Sequence, residues 1–280
     1  MMRMFEMSDL GLLSYYLGIE VKQTPDCISL CQAGYASKIL EKTGMLNCNS
    51  NGEPFVDATE YRRIIGSLRY LVNTRPDLAY SVGVVSRYMD TPTVTHMNAV
   101  KQILRYVRGT IGMGIVYKKN QEKEELVGFS DSDLAGDTDD RKSTSGIIFF
   151  IGESPITWVS HKQRIVVLSS CEAEYIAATG GACQGLWLKK IIAELRGDDK
   201  VKPVLKVDNK SAISLANNPV FHERSKHIDT RIHFIRDCVQ CGDIQLEYVK
   251  TEEQVADLLT KPLARQRFNE LRDRIGVKQV

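Results

Sequence analysis

Four acidic side chains lie where a carboxylate is costly unless it has a partner or a task. Asp131 follows an apolar, strand-like segment, and Asp208 ends another. Glu174 stands near the start of a long helical stretch, and Asp257 lies among apolar residues of a later one. Hard divalent cations prefer oxygen ligands, and acids gathered from several core elements can hold two of them. Such a pair of ions clamps the attacking and leaving oxygens of a phosphodiester during in-line displacement.

Each acid also has an ordinary structural role open to it. Asp131 can begin a turn, and Asp208 can cap the helix that follows it. Glu174 or Asp257 can lie on a solvated helix face. On spacing alone these roles are favoured, because most acids are surface residues. The sequence motifs around each acid are therefore needed to choose between the two interpretations.

Two groups of motifs resemble the C-terminal part of copia-type retrotransposon Pol polyproteins. One group resembles the RNase H domain that closes these polyproteins: SDSDLAGD, RKSTSG, LSSCEAEYIAA, VDNKSAISLANNP, RSKHIDTRIHFIRD and QVADLLTKPL. The other resembles the last part of their reverse transcriptase: FEMSDLGLLSYYLGIEV, YRRIIGSLRYLVNTRPDLAYSVGVVSRYM and AVKQILRYVRGT. Together these segments cover nearly the whole chain, in the family's order.

The resemblance implies an α/β fold in two parts. Residues 1–120 would be a small α+β remnant of a reverse transcriptase, with a palm-end hairpin and thumb-like helices. Residues 121–280 would be an RNase H-like domain, a mixed five-stranded sheet with flanking helices. The polar run 118–125 is the predicted linker. Because each part has enough apolar residues for a core, residues 121–280 are expected to fold without the first part.

Apolar periodicity and turn residues predict the elements that position the acids. In the first part they predict strands at 15–21 and 28–30 and helices at 58–74, 76–90 and 95–109. In the second part they predict strands at 126–133, 146–151, 155–160, 203–208 and 243–249, and helices at 171–196, 210–217, 225–240, 252–260 and 264–275. Three strands followed by alternating helices and strands indicate a mixed sheet with helices packed on it.

Within the resemblance, each acid matches a position of the family's metal site. Asp131 matches the aspartate of the first strand, Asp208 that of the fourth strand, and Asp257 that of the last catalytic helix. Glu174 and Glu172 compete for the helix position. They lie about 200° apart around a helix, so only one of them can face the metals. The motif AEYIA at 173–177 matches the family's motif and favours Glu174.

The resemblance implies that these acids share two Mg²⁺ ions, for which Mn²⁺ can substitute. Asp131 would bridge both ions. Glu174 and Asp208 would complete the shell of one ion, and Asp257 would help to hold the other. One ion activates a water against the scissile phosphate, and the other stabilises the departing 3′ oxygen. The implied activity is hydrolysis of the RNA strand of RNA–DNA hybrids, with the polymerase part of a reverse transcriptase as a further partner.

RNA selection in this family depends on 2′-hydroxyl contacts along the minor groove of the hybrid. Asn209 is a candidate for such a contact, with helix capping as the alternative. Ser143 and Thr144 are candidates for phosphate contacts, with a turn as the alternative. His227 matches a histidine in the family's motif. Its role is either contact with the hybrid or helix packing.

The chain departs from the family's pattern in two places. Many RNase H enzymes carry a mobile histidine shortly before the last catalytic aspartate, and none precedes Asp257 at that distance. Lys250 is a candidate electrostatic substitute. Leu134 occupies a position at which the copia motif usually has tryptophan. We expect the protein to tolerate this change in packing.

A rival metal site would combine His227, His233, Cys238 and Cys241 around zinc. All four residues fall on one predicted helix, where six-residue spacing turns the two histidines to different faces. Closed tetrahedral zinc sites normally gather their ligands from separate elements. The zinc interpretation is therefore disfavoured.

Two functions remain open. The family's Tyr-x-Asp-Asp polymerase hairpin would lie upstream of residue 1, and the segment 47–57 is shorter than usual in the family. The chain is therefore expected to be a truncated copy that cannot polymerise DNA by itself. The four intact acids favour an active Mg²⁺-dependent hybrid ribonuclease. The missing palm favours a catalytically silent, nucleic-acid-binding remnant of a retroelement.

Composition excludes several other classes of protein. The 280 residues are 43% hydrophobic and 26% charged, with a net charge of +2, as in soluble globular proteins. No segment approaches the ~20 apolar residues that a membrane span needs. The seven cysteines do not follow the pattern of a disulfide framework. These features predict no membrane association and an intracellular location, cytoplasmic or nuclear.

Overall fold

The described part of the chain contains two five-stranded sheets. The structure is a computed structural model that describes residues 11–44, 57–119, 125–197, 201–217 and 229–280. The first sheet combines the first four strands of the chain with its last strand, and the second sheet contains the five strands between them.

The first part of the chain combines a small antiparallel sheet with a group of helices. Its strands are β1 (Tyr15–Tyr16), β2 (Ile19–Gln23), β3 (Cys27–Cys31) and β4 (Met113–Lys118). Its helices are α1 (Ala33–Lys42), α2 (Ala58–Leu71), α3 (Ala79–Val85) and α4 (Val94–Gly109). Apolar residues at three- and four-residue intervals bury one face of α2 and of α4, and these faces meet in a shared core.

The second part forms the sheet that carries the predicted acids. Its strands are β5 (Leu126–Ser132), β6 (Thr144–Ile151), β7 (Ser154–Lys162), β8 (Val204–Val207) and β9 (Gln245–Tyr248). The first three are antiparallel, whereas β8 runs parallel to β5 and β9 runs parallel to β8. The helices are α5 (Ser170–Arg196), α6 (Lys210–Asn217), α7 (Asp229–Gln240) and α8 (Arg265–Arg274). This mixed sheet with flanking helices is RNase H-like, and the predicted fold class is confirmed.

The long helix α5 packs directly against the centre of the second sheet. The Ser169 side chain accepts the N–H of Glu172 at its start, and Gly197 ends it in a left-handed conformation with φ of 67°. At Gly181 a Cβ atom would lie 2.9 Å from the side chain of Leu205 in β8. The absence of a side chain there lets the helix approach β8 closely.

The two parts of the chain share a third core cluster. Ala79 and Ile115 come from the first part, and they pack with residues of the second part such as Phe150. The last strand, β10 (Val277–Gln279), pairs with β4 and thus belongs to the first sheet. The boundary at residue 120 and the independent folding of residues 121–280 stay predictions. The shared cluster implies that separating the parts exposes apolar surface.

Several predicted elements differ from the observed ones. The predicted helix 252–260 is two 3₁₀ turns, Thr251–Glu253 and Val255–Leu259. They are separated by Gln254, whose backbone is extended. The side-chain amide of Gln254 donates to the Ser130 carbonyl at 2.9 Å. This bond to the neighbouring sheet outweighs the local preference for an α-helix.

Other differences concern the ends and the short elements. The predicted helix 76–90 is α3 flanked by 3₁₀ turns at Pro76–Leu78 and Ser86–Tyr88. The first residues of the predicted helix 225–240 and the segment 47–56 lie outside the described residues. Three elements were not predicted: α1, β4 and β10. Two of these are strands whose pairing brings distant parts of the chain together.

Candidate active site

Three of the predicted acids converge at the carboxyl ends of two neighbouring inner strands of the second sheet. Asp131, Glu174 and Asp208 each offer an oxygen, and these oxygens lie within 4.8 Å of one another. Parallel pairing of β5 and β8 places Asp131 and Asp208 at the same end of the sheet. The first turns of α5 bring Glu174 to them. Asp131 and Glu174 are buried, and Asp208 is half-buried.

Neighbouring groups fix the carboxylates of these acids. The Thr260 hydroxyl donates to Asp131 Oδ2, and the Ser132 N–H donates to Glu174 Oε1 at 3.1 Å. The Thr251 hydroxyl donates to Asp208 Oδ2 at 3.2 Å. The other oxygen of Glu174, Oε2, is buried and has no hydrogen-bond partner among the described residues. An orphaned buried carboxylate oxygen is costly unless a cation compensates it.

Asp257 joins the site through a lysine. Its carboxylate is buried, and Lys261 Nζ lies 2.6 Å from its Oδ1 atom. The same Nζ lies 3.7 Å from Asp131 Oδ2. Arg267 Nη2 lies 4.0 Å from Asp257 Oδ2. Asp257, the fourth predicted acid, is thus linked to Asp131 through the ammonium group of Lys261. It does not belong to the group of three acids.

The two candidate glutamates of α5 have different surroundings. Glu172 Oε2 accepts the N–H of Leu168 at 2.9 Å, so this side chain helps to cap the N-terminus of α5. Glu174 lies beside Asp131 and Asp208 instead. Of the two glutamates, only Glu174 belongs to the group of acids that can share a cation.

Burial raises the pKa of all three grouped acids above the usual range. For Glu174, burial is reinforced by repulsion from Asp131 and Asp208. For Asp131, burial outweighs the lowering effect of Lys261, and Asp257 raises the pKa further. For Asp208, burial raises the pKa and the bond from Thr251 lowers it. Burial disfavours the charged form of each acid, and a bound cation reverses this effect.

The donor set fits a hard divalent cation. The three side chains present only carboxylate oxygens, the ligands that Mg²⁺, Mn²⁺ and Ca²⁺ prefer. The orphaned Glu174 Oε2 and the raised pKa values are the features that such a cation would relieve. These three acids can therefore hold a divalent metal ion.

Three of the four residues predicted to contact the hybrid have hydrogen-bond partners within the protein. Asn209 Oδ1 accepts the N–H groups of Ser211 and Ala212, and it therefore caps α6. Ser143 and Thr144 are buried. An enclosed hydroxyl is poorly placed to reach a phosphate, and the phosphate contacts of these two residues stay a prediction.

The loop before β6 is held by these same two residues. Ser143 Oγ accepts the N–H of Ala135 at 3.1 Å, and Arg87 Nη2 donates to Thr144 Oγ1 at 3.0 Å. Ser143 thus lies in the loop before β6, in keeping with the turn interpretation, whereas Thr144 is the first residue of the strand.

Of the remaining candidates, two lie on the surface and one lies outside the described residues. His227 lies outside the described residues. Lys250 is exposed, and its carbonyl accepts the N–H of Glu253. Leu134 is 53% exposed, so leucine in place of tryptophan at this position is expected to leave the core intact.

The described residues give no support to a zinc site. His233 and Cys241 are exposed, whereas Cys238 is buried. Within the described part of the chain, the group of three acids is the only cluster that could hold a metal ion.

Two residues of the site, Thr260 and Lys261, were not predicted from the sequence. Both follow Asp257 in the motif ADLLTK, and Lys261 stands four residues after that acid. A basic residue at that spacing from a candidate metal ligand is the signal that could have identified it.

Comparison with known proteins relates nearly the whole chain to one family. Residues 1–57 match the family described as reverse transcriptase (RNA-dependent DNA polymerase). The Pol polyprotein from transposon RE2 of Arabidopsis thaliana is 43% identical over 96% of this chain. That from transposon RE1 of the same plant is 41% identical over 99%. The chain belongs to the copia-type retrotransposon Pol family.

This Pol chain spans only part of its relatives. It covers 19% of the RE2 polyprotein and 20% of the RE1 polyprotein. Among solved structures, an RNase H1 isolated from compost is 12% identical, with a TM-score of 0.38, over 52% of this chain and 97% of the enzyme. None of the helices that the structure describes has the length and apolar character needed to cross a membrane. With its mixed sheet and its Pol relatives, the chain carries an RNase H-type domain of this family.

Proposed function

We propose that this chain is a divalent-metal-dependent nuclease that hydrolyses the RNA strand of RNA–DNA hybrids. The observation that carries the proposal is the convergence of Asp131, Glu174 and Asp208 within 4.8 Å. Membership in the Pol family and the RNase H-like sheet support the class of reaction. Mg²⁺ is the proposed metal, and Asp257 is proposed to help hold it.

The residues of the chain prepare the site for a cation and a phosphate. The Ser132 N–H fixes Glu174 through Oε1 and leaves Oε2 for a cation. The Thr260 hydroxyl binds one oxygen of Asp131 and leaves the other for the same cation. Divalent ions bound here would activate the attacking water and stabilise the leaving 3′ oxygen.

Asp208 gives the site its opening to solvent. It is the one half-buried member of the group, whereas Asp131 and Glu174 are enclosed. A phosphodiester of the hybrid would approach from the side of Asp208. Burial of the other two acids excludes water that would weaken their attraction for a cation.

A catalytically silent hybrid-binding protein is the second candidate function. The observation that favours it is the ion pair between Lys261 and Asp257, since a cation of the protein already neutralises one of the four predicted acids. Tight hybrid binding without cleavage in any divalent metal would support this alternative.

Single-turnover cleavage of an end-labelled RNA–DNA hybrid tests the proposal. We expect cleavage of the RNA strand with Mg²⁺, none with EDTA, and none of duplex DNA. Glu174→Gln should lower the rate at least ~10²-fold, because it removes a charge from the metal site. Glu172→Gln is the matched control and should retain the rate, because Gln can still accept the Leu168 N–H. Equal losses in both variants would contradict the assigned metal site.

A further inference from the structure

A positively charged side chain of the protein lies between two acids of the site. Lys261 Nζ is 2.6 Å from Asp257 Oδ1 and 3.7 Å from Asp131 Oδ2. Both carboxylates are buried, whereas the side chain of Lys261 is 37% exposed. The ammonium group thus enters the site from its solvent side and contacts the acid that lies outside the group of three.

The ammonium group of Lys261 faces two buried carboxylates, at 2.6 Å and 3.7 Å. A lysine side chain is positively charged at neutral pH, and two neighbouring carboxylates favour that charge. The four carboxylates can carry four negative charges. One divalent ion at Asp131, Glu174 and Asp208 together with Lys261 would cancel three of these charges. Little net attraction would then remain for a second divalent ion.

The position of the ammonium also matters sterically. A second ion held by Asp131 and Asp257 would need oxygens of the same two carboxylates that Lys261 contacts. A cation so close to an ammonium is strongly repelled in a partly buried site. The partial exposure of Lys261 gives its side chain a path to solvent.

We propose that Lys261 and a second divalent ion compete for the carboxylates of Asp131 and Asp257. The inference rests on the proposed function, in which Asp131, Glu174 and Asp208 hold the first ion. The wild-type chain then binds one divalent ion tightly, and it binds a second only weakly, after Lys261 has moved away. Lys261 is a positioning residue that sets how many ions the site holds at a given metal concentration.

Calorimetric titration of the full chain with Mn²⁺ measures the number of ions directly. We expect one tight ion in the wild type. In Lys261→Gln the second ion should bind at least ~10-fold more tightly, because one charge repulsion is removed. Electron paramagnetic resonance should then show two spin-coupled Mn²⁺ ions at a metal concentration at which the wild type shows one isolated ion.

Two further variants separate the contact from the general charge. Lys261→Arg keeps the positive charge and should leave the second ion weak. Lys210→Gln removes the same charge from an exposed side chain and should also leave the second ion weak. If Lys261→Gln unfolds, Lys261→Met gives the same test, because it keeps the aliphatic stem while removing the charge.

The outcomes distinguish this inference from the proposed function. Two ions of similar affinity in both the wild type and Lys261→Gln would overturn the role of Lys261 and leave the metal site standing. An equal gain in Lys210→Gln would also overturn it, since general charge would then explain the effect. Failure of every variant to bind Mn²⁺ would contradict the metal site of the proposed function, and the inference with it.

Discussion

Asp137 shows how a single buried acid fastens the loop beside the candidate site. Arg87 Nη1 lies 2.8 Å from its Oδ2 atom, and Lys162 Nζ lies 2.7 Å from the same oxygen. Its other oxygen accepts the N–H groups of Asp139 and Asp140. Burial alone would raise the pKa of Asp137, but these bonds together hold it well below the usual range.

This low pKa predicts a pH-dependent stability. A carboxylate whose pKa is lower in the folded state stabilises the fold above its unfolded pKa of about 3.9. That contribution is lost as the pH falls through the folded pKa. Asp137→Asn should therefore cost about 2–3 kcal/mol of unfolding free energy at pH 7, because Arg87 and Lys162 lose their shared partner.

Urea unfolding of the wild type and Asp137→Asn at pH 7 and at pH 3 tests this prediction. The difference in unfolding free energy between the two proteins should shrink at the lower pH. A difference that stays constant across this range would show that the ion pairs of Asp137 do not supply the stability. Asp139→Asn, which changes an acid of the same loop, is the control.

At the scale of elements, the turn 255–259 must lie very close to β6. A Cβ atom on Gly146 would lie 2.8 Å from Leu259 Cβ and 3.0 Å from the carbonyl oxygen of Ala256. It would also lie 2.7 Å from the methyl group of Thr260, whose hydroxyl binds Asp131. The glycine thus allows the turn to bring Thr260 and Asp257 to the site.

Gly146→Ala should consequently damage both stability and metal binding. Backbone atoms cannot move aside as easily as a flexible side chain, so we expect a loss of about 1–3 kcal/mol in unfolding free energy. Mn²⁺ affinity should fall with it, because the turn shifts away from Asp131. Thermal unfolding and calorimetric titration measure the two effects.

Gly66→Ala provides the matched control for that substitution. Gly66 lies on the exposed side of α2, and a Cβ atom there meets nothing within 4 Å. The same change should stabilise the protein by up to ~1 kcal/mol, since alanine favours a helix over glycine. If Gly146→Ala behaved like Gly66→Ala, the close packing of the turn against β6 would be contradicted.

At the scale of the whole molecule, the two parts are joined by a strand and by a shared core. The C-terminal strand β10 pairs with β4, and Trp158 Nε1 donates to the Val72 carbonyl at 3.0 Å. Ala79 and Ile115 pack in the same cluster as Phe150. These contacts link the sheet that carries the acids to the first part.

Separation of residues 121–280 from the first part should therefore weaken the fold without abolishing it. The second sheet keeps its own core around α5, so we expect the fragment to fold. It should unfold at a lower urea concentration than the full chain, because β10 loses its partner and apolar surface becomes exposed. Equal midpoints would mean that the shared cluster contributes no stability, and an unfolded fragment would mean that the parts form a single cooperative unit.

Elements with local signals could be predicted from the order of residues alone. Apolar, strand-like residues predicted β5 and β8, and the motif around AEYIA predicted a helix that carries Glu174. The acids at the ends of the two strands, Asp131 and Asp208, could therefore be identified as site candidates from the order of residues and the motifs around them. A strand and its terminal acid are adjacent in the chain, so both leave a readable pattern.

The rest of the site depends on contacts between elements that are far apart in the sequence. Thr260 binds Asp131 from 129 positions away, and Gln254 binds the Ser130 carbonyl from 124 positions away. Lys261 Nζ reaches Asp131 in the same way. These contacts break the predicted helix 252–260 into 3₁₀ turns and insert a lysine among the acids. Such contacts follow from the packing of one element on another, and they leave no periodicity in the sequence.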